Sequence, residues 1–565
     1  MSGYIRSKPD VSWWLTQVRK GIDYRKKYAK EEQWDMWRSY YRGNWRPGIM
    51  PSNIYFKMLR TVVPRVYFRN PSVSITSARP GLVNMAFAQL LERVDNKMMR
   101  QMKMKQTLKM AVQKSFMFGT GVVKLGFGAE FTPNLPPGFS VTEPVGNNGQ
   151  VFEYNDLIRD NMPWVANTHT GNFIVPAGAE DMHSSRWVGE WFRRPLDDVK
   201  ADPRLKHTKN LTASSRSRMD HPGMVRKGVK PYTDMIDLVE IRDKQRQRVM
   251  VLAPYATDRV LLDDDDELQL NGTIPYYDLI FNTDEEVFWG VPDSVNLDYQ
   301  QREMNEIKTQ IMKHRRLALV KMLVKQGTLS DEDAAKMVSE DVMPFVTVKG
   351  EPSTDVVLRE GSIPSDLFVA ENDLHRDIQE TMGFGRNQFG EYAEGSADRT
   401  AHEAEIVKMA SEIRVDERRD MVADMIVDII SDMNAVLFRH WTHEEVVDIV
   451  GPMGVQLWVR FTPAMLQKGQ YEVKVDPDSS LPETKALREQ KAIQMYQLLK
   501  ENPLIDPIQL TQYLLHEIHG VQFDSMMRGI PQGAGTQQQP LDVGQYVNLM
   551  QNVGQQAPQA LPGAA

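Results

Sequence analysis

Apolar and polar positions divide the chain into two kinds of sequence. Residues 11–41 have helical periodicity, with Trp34, Trp37 and Tyr41 on one face and charges opposite. Five tryptophans fall between Trp13 and Trp45, a packing face for a large partner or for the rest of the fold. A second helix is predicted from about 84 to 118. It carries Met98, Met99, Met102, Met104 and Met110 beside Lys97, Arg100, Lys103, Lys105 and Lys109. That pattern fits a methionine-lined core stripe with a solvated basic face, or a nucleic-acid face. Gly, Pro, Asn and Asp break up 119–290, with short β-rich runs at 237–243 and 248–252, an α+β region.

From 293 long helices take over. Residues 293–316 show a narrow apolar line (Met304, Ile307, Ile311) and are polar elsewhere, which predicts packing against neighbouring copies. The acids come first (Asp293, Asp298, Glu303, Glu306) and the bases Lys313, Arg315 and Arg316 last, complementing the helix dipole. Residues 317–364 read as a small unit: a helix at 331–339, then strands at 345–348 and 356–358. A helix at 365–382 leads into a loop, 383–395, holding Gly383, Gly385, Gly390 and Gly395 with three aromatics. Thr400 and Glu403 form a capping box opening a helix to about 440, about 60 Å long, with Val422, Ile426, Ile429, Met433 and Val436 on one seam. Residues 451–476 are strand-like, helices follow at 483–501 and 506–519, and from 529 a Gln/Gly/Pro/Ala-rich sequence predicts a flexible tail.

Composition narrows the function classes. The 68 basic and 75 acidic residues leave a net charge of −7, which argues against a protein built to grip nucleic acid tightly. With no cysteine there is no disulfide framework, thiolate metal site or cysteine nucleophile. No leader peptide is expected from the opening residues, which include Arg6, Lys8 and Asp10, and no apolar run is long enough to span a bilayer. The dipeptide Gly-Lys is absent, so there is no Walker A loop. Gly119/Gly121 and Gly383/Gly385 lack the third glycine of a dinucleotide fingerprint, and no G-x-S-x-G elbow occurs. His440/His443 and His516/His519 have helical spacing but no third ligand. Pro477-Asp478 and Glu483-Thr484-Lys485 stand too close together for a nuclease's paired strands. The acid run 263–267 reads as a solvated turn. No catalytic residue, metal or cofactor is expected.

The order of these elements resembles the portal proteins (head–tail connectors) of tailed bacteriophages. The resemblance covers about 30–525. It rests on 37–44 (WRSYYRGN) and 64–71, on 118–126 (FGTGVVKLG), on 290–293 (GVPD) leading into 300–305 (QQREMN), on 400–403 (TAHE), and on 476–485 with the helices after it.

The family implies a helix-rich α+β portal-type fold: wing (1–292 and 441–478), stem helices (293–316 and 365–382), clip (317–364), tunnel loop (383–396), tunnel helix (397–440) and crown (479–528). The tail, 529–565, has no counterpart. The implied function is a homododecameric ring at one capsid vertex of the virion, assembled in the host bacterial cytoplasm. Double-stranded DNA would pass through its channel during genome packaging and ejection. Implied partners are major capsid and scaffolding proteins, terminase, and a head–tail adaptor or tail protein, with no membrane. The family carries over a DNA-facing loop of Phe384, Arg386, Asn387, Gln388, Phe389, Glu391 and Tyr392. It also implies a basic collar of Lys313, Arg315 and Arg316 on the stem and a docking patch of Asp331, Glu332 and Asp333 on the clip. The alternatives are another virion ring or shell protein such as a tail-completion or capsid component, a packaging motor or nuclease, and an unrelated helical scaffold.

Overall fold

The computed structural model describes residues 10–67, 73–78, 82–128, 162–213, 234–269, 272–317, 321–324, 330–332, 356–359, 363–383, 401–440, 445–450, 456–461, 471–475, 485–500 and 541–542. The chain is a mixed α+β protein that divides into two compact units. One comprises 1–34, 61–293 and 412–565; the other comprises 35–60 and 294–411.

The chain opens with α1 (Val11–Tyr28), α2 (Trp34–Arg42) and α3 (Ile54–Val66). After β1 (Val73–Ser77) come α4 (Leu82–Gln101), α5 (Met104–Phe118), β2 (Gly121–Phe127) and β3 (Pro163–Thr168). Next are β4 (Phe173–Ile174), β5 (Trp187–Pro195), α6 (Leu196–Ala201), β6 (Met235–Asp243), β7 (Arg248–Leu252), β8 (Val260–Asp265) and β9 (Tyr276–Leu279). The helical stretch follows: α7 (Asp293–Leu317), β10 (Lys321–Val324), β11 (Val356–Arg359), α8 (Asp366–Met382) and α9 (Ala401–His440). Last come β12 (Glu445–Val450), β13 (Gln456–Phe461), β14 (Tyr471–Val475), α10 (Lys485–Leu499) and β15 (Leu541–Asp542).

In the first unit, β4-β5-β6-β7-β8 form an antiparallel sheet buried on both faces. Side chains alternate across a strand, so Val239 and Ile241 of β6 face one way and Ile236 and Leu238 the other. Trp14, Val18 and Ile22 of α1 cover the first face together with Trp187, Trp191, Met250 and Leu252. Leu196, Val199 and Leu211 cover the second with Val251 and Leu261. Asp10 caps α1, its carboxylate accepting the amides of Ser12 (3.1 Å) and Trp13 (3.4 Å). The clustered tryptophans therefore serve the chain's own fold: Trp14, Trp34 and Trp37 are buried.

A second sheet, β3-β2-β9, lies beside α5, which ends at Gly119 with φ +84°. A Cβ at Gly119 would stand 2.0 Å from the Gly290 carbonyl oxygen, so only glycine fits both the backbone and this approach. The Gly290 amide donates to Thr120 Oγ1 at 3.3 Å. Two segments far apart in sequence, 118–126 and 290–293, thus meet. The seam of α9 is buried as expected, with Val422, Ile426, Ile429, Met433 and Val436 each at most 2% exposed. Each such side chain contributes about 1.5–3 kcal/mol by leaving water.

Four expectations need correction. The helix over 84–118 is broken: Lys103 adopts φ 53°, separating α4 from α5. Likewise 11–41 is interrupted at Lys30, also at φ 53°. The acid run 263–267 is no solvated turn. Arg248 pairs with Asp263 (2.7 Å) and Asp265 (3.1 Å), and Arg242 with buried Asp266 (2.7 Å). Within the tail, Leu541 and Asp542 form β15, which joins β13 in parallel. The expected elements at 345–348 and 506–519 lie outside the described residues.

Candidate functional site

In the second unit, α7 organises its surroundings through polar side chains. Ser294, Asp298, Gln301, Asn305 and Thr309 recur at helical spacing, so they share one face, and all are buried. Gln301 Oε1 accepts the Tyr55 amide (2.9 Å), Asn305 Oδ1 the Ser52 amide (3.0 Å) and Thr309 Oγ1 the Met50 amide (2.9 Å). Gln301 Nε2 donates to the Ser52 carbonyl at 2.6 Å. The Tyr40 hydroxyl donates to Asp298 (3.0 Å), and Tyr55 and Ser294 share a hydrogen bond of 2.6 Å. The irregular stretch through Met50 and Ser52 and the first turn of α3 satisfy their backbone on this ladder. The apolar line of α7 is internal over most of its length: Met304 and Ile307 are buried within the chain and Ile311 is half-buried, against the expectation that the line waits for a neighbouring copy.

α7 and α8 run antiparallel. Gln300 Nε2 donates to Thr381 Oγ1 (3.1 Å), and Lys308 pairs with Glu371 further along. Beyond the helices the same two chain segments continue as the antiparallel pair β10–β11, with Lys321 opposite Arg359. All three pairs are centred on residue 340 to within one position. The described residues of 293–382 are therefore the two limbs of one long hairpin, helical at its base and stranded further out. On α8, Ile378 and Met382 are buried, while Phe368 (46%) and Val369 (58%) are exposed.

Lys313, Arg315 and Arg316 are all exposed on the last turns of α7. At 3.6 residues per turn, Lys313 and Arg316 are about 60° apart around the axis and Arg315 lies about 160° from Lys313. They spread over an arc of about 160°, one broad side of the helix end rather than a single stripe. Asp331 and Glu332 are exposed and Asp333 lies outside the described residues. So do Phe384, Arg386, Asn387, Gln388, Phe389, Glu391 and Tyr392. Of that loop only Gly383 is described, closing α8 with φ +70°.

Two polar constellations of the first unit escaped sequence reasoning. Lys124 Nζ lies 3.2 Å from Glu190 and 3.1 Å from Glu240, which also holds Arg242 at 2.7 Å. The Tyr276 hydroxyl donates to Glu190 at 2.8 Å. Burial works to raise the Glu240 carboxyl, but Arg242 and Lys124 outweigh it and hold it down to about 2. Burial, with Glu190 and Glu240 nearby, pushes the Tyr276 hydroxyl well up. Each charge is answered, so this network joins two sheets and leaves no group free for chemistry. Its only sequence signal is a lysine in the apolar strand β2.

The second is a cavity of about 660 Å³ lined by Tyr277, Asp278, Asp424, Asp428 and Asp432, with further acids, His183 and Lys244 among the other polar and apolar side chains of its wall. Tyr277 and Thr273 donate to Asp432 Oδ2 at 2.8 and 3.1 Å. Burial lifts the Asp278 carboxyl to about 6, with Asp181 and Asp428 adding to the rise against its backbone hydrogen bond. Burial also raises Asp428, next to Asp432 and Asp424. Among the described residues no three His, Asp or Glu side chains converge to hold a metal ion. No helix of the described residues is long and apolar enough to cross a membrane.

No protein-family model matches the chain, and no curated protein matches it.

Proposed function

We propose that the chain is a portal-type protein. In this reading it is a ring-forming subunit at one capsid vertex, through which double-stranded DNA passes during packaging and ejection. Terminase, then an adaptor or tail protein, would dock on it. One observation carries the reading: the hairpin of α7, β10, β11 and α8, centred on residue 340, returning into the 40-residue α9. That order matches stem, clip, stem and tunnel helix. The β-stranded tip would be the docking end, the exposed Phe368 and Val369 would face the neighbouring subunit, and the loop after Gly383 would line the channel. A role as conduit fits the charge as well. A subunit at −7 gives the bore no uniformly basic wall, where each phosphate contact would retard a sliding duplex. The function is structural rather than catalytic. Native mass spectrometry at physiological salt tests it: assembly into a closed ring of identical 64.8 kDa subunits is expected, and a purely monomeric species refutes it.

A further inference from the structure

Residues 93–110 hold six cations, Arg93, Lys97, Arg100, Lys103, Lys105 and Lys109, and one acid, Asp95. Asp95 is 0% exposed, and Asn434 Nδ2 donates to it at 3.0 Å. Burial pushes its carboxyl well up, so it does not offset the cations at the surface. Helical spacing separates the two sides of α4. Leu91, Val94, Met98, Met99 and Met102 are buried, while Arg93, Lys97, Arg100 and Gln101 are exposed on the other side. Lys103, at φ 53°, turns the chain and is exposed, and Lys105 and Gln106 continue the exposed set into α5. The methionine core stripe and an exposed basic face thus lie on opposite sides of one helix, and the open question from the sequence is whether that face meets only solvent or a nucleic acid.

We propose that this face binds the phosphate backbone of duplex DNA. The proposal rests on the channel reading only for the source of the duplex; the chemistry stands on the face itself. Every exposed side chain between 93 and 106 is a cation or an amide. A lipid surface would call for apolar residues beside the cations to enter the acyl boundary, and an acidic protein partner for aromatic or apolar anchors. Between 93 and 106 the face offers neither; the exposed Met85 (53%) and Met110 (52%) stand beyond its two ends. Phosphate positioning needs only cations and neutral donors, and Gln101 and Gln106 supply the donors. Along α4, Arg93 to Arg100 spans about 10 Å of axis, against one DNA charge per about 1.7 Å. Several phosphates are therefore within reach at once.

The test measures binding of the full chain to a fluorescent 30-base-pair duplex across salt. Four phosphate contacts predict a fall in affinity of about 150-fold between 50 and 200 mM salt. The variant Arg93→Gln/Lys97→Gln/Arg100→Gln/Lys103→Gln should keep the parent's circular dichroism and melting, because all four positions are exposed. It should lose the binding and reduce the log–log slope by about 3–4. A collar variant, Lys313→Gln/Arg315→Gln/Arg316→Gln, should retain the parent's binding. The proposal is overturned by parental affinity and slope in the first variant, by loss of binding in the collar variant alone, or by binding to phosphatidylserine vesicles but not to duplex. A chain that forms no ring yet shows the slope supports the face and sinks the channel reading. A ring whose duplex binding and salt slope are unchanged by the four substitutions does the reverse.

Discussion

Replacing Asn305 with alanine removes one rung of the ladder on α7. Asn305 is 6% exposed, and its Oδ1 accepts both the Ser52 amide and Gln301 Nε2, each at 3.0 Å. Alanine leaves the Ser52 amide without its acceptor, while Gln301 Nε2 keeps the Ser52 carbonyl. An unsatisfied donor of this kind costs about 1–3 kcal/mol. Taking about 2 kcal/mol for Ser52, local opening around 50–55 becomes about 30-fold more frequent. Hydrogen exchange read by mass spectrometry on peptides spanning 46–57 reports this directly. The Ser52 amide should lose about 30-fold in protection and the β6 strand none. Asn305→Asp, which keeps an acceptor oxygen, should restore most of the protection. Unchanged exchange in Asn305→Ala, or equal loss in both variants, would refute the claim that Asn305 holds this segment through its side-chain oxygen.

Other outcomes follow from the same geometry. The folded-state value of Glu240, about 2 against an ordinary 4.5, contributes about 3 kcal/mol. That stability is present above pH 4.5 and lost as pH falls towards 2, so Glu240→Gln should flatten the acid limb of the denaturation midpoint against pH. Asp278 has the opposite sign. Raised to about 6 from 3.8, it favours the fold fully below pH 3.8 and loses that contribution as pH rises through 6. Asp278→Asn should therefore raise the melting temperature at pH 8 but not at pH 4. Gly119→Ala puts a methyl 2.0 Å from the Gly290 carbonyl at a φ of +84°, and should lower stability by about 2 kcal/mol or more in chemical denaturation. Phe368→Asp/Val369→Asp, at positions 46% and 58% exposed, should leave the subunit's fold intact by circular dichroism while reducing ring yield in size-exclusion chromatography.

How much of this was legible in the sequence depends on which side chains do the organising. Where apolar groups decide, periodicity sufficed. The seam of α9 is buried at all five expected positions, and β6, β7 and α8 lie within about two residues of their expected bounds. Where polar groups decide, it did not. Ser294, Asp298, Gln301, Asn305 and Thr309 belong to what the sequence shows only as the polar remainder of 293–316, because a hydrogen-bonding side chain looks the same in sequence whether its partner is water or backbone. The acids of β8 were misread likewise, since the arginines answering them sit on β6 and β7 and only strand register brings them together. The breaks at Lys30 and Lys103 carry no glycine or proline to announce them. For the expected sites, the collar and two of the three clip acids are on the surface, while the tunnel loop beyond Gly383 lies outside the described residues.

The most direct measurement is an image of the purified protein, averaged along and across any symmetry axis. A closed ring with a central channel is expected, with, in side view, a stalk formed by the hairpins of residues 293–382. Particles without a channel, or a ring whose stalk survives deletion of 318–355 with unchanged length, would contradict it.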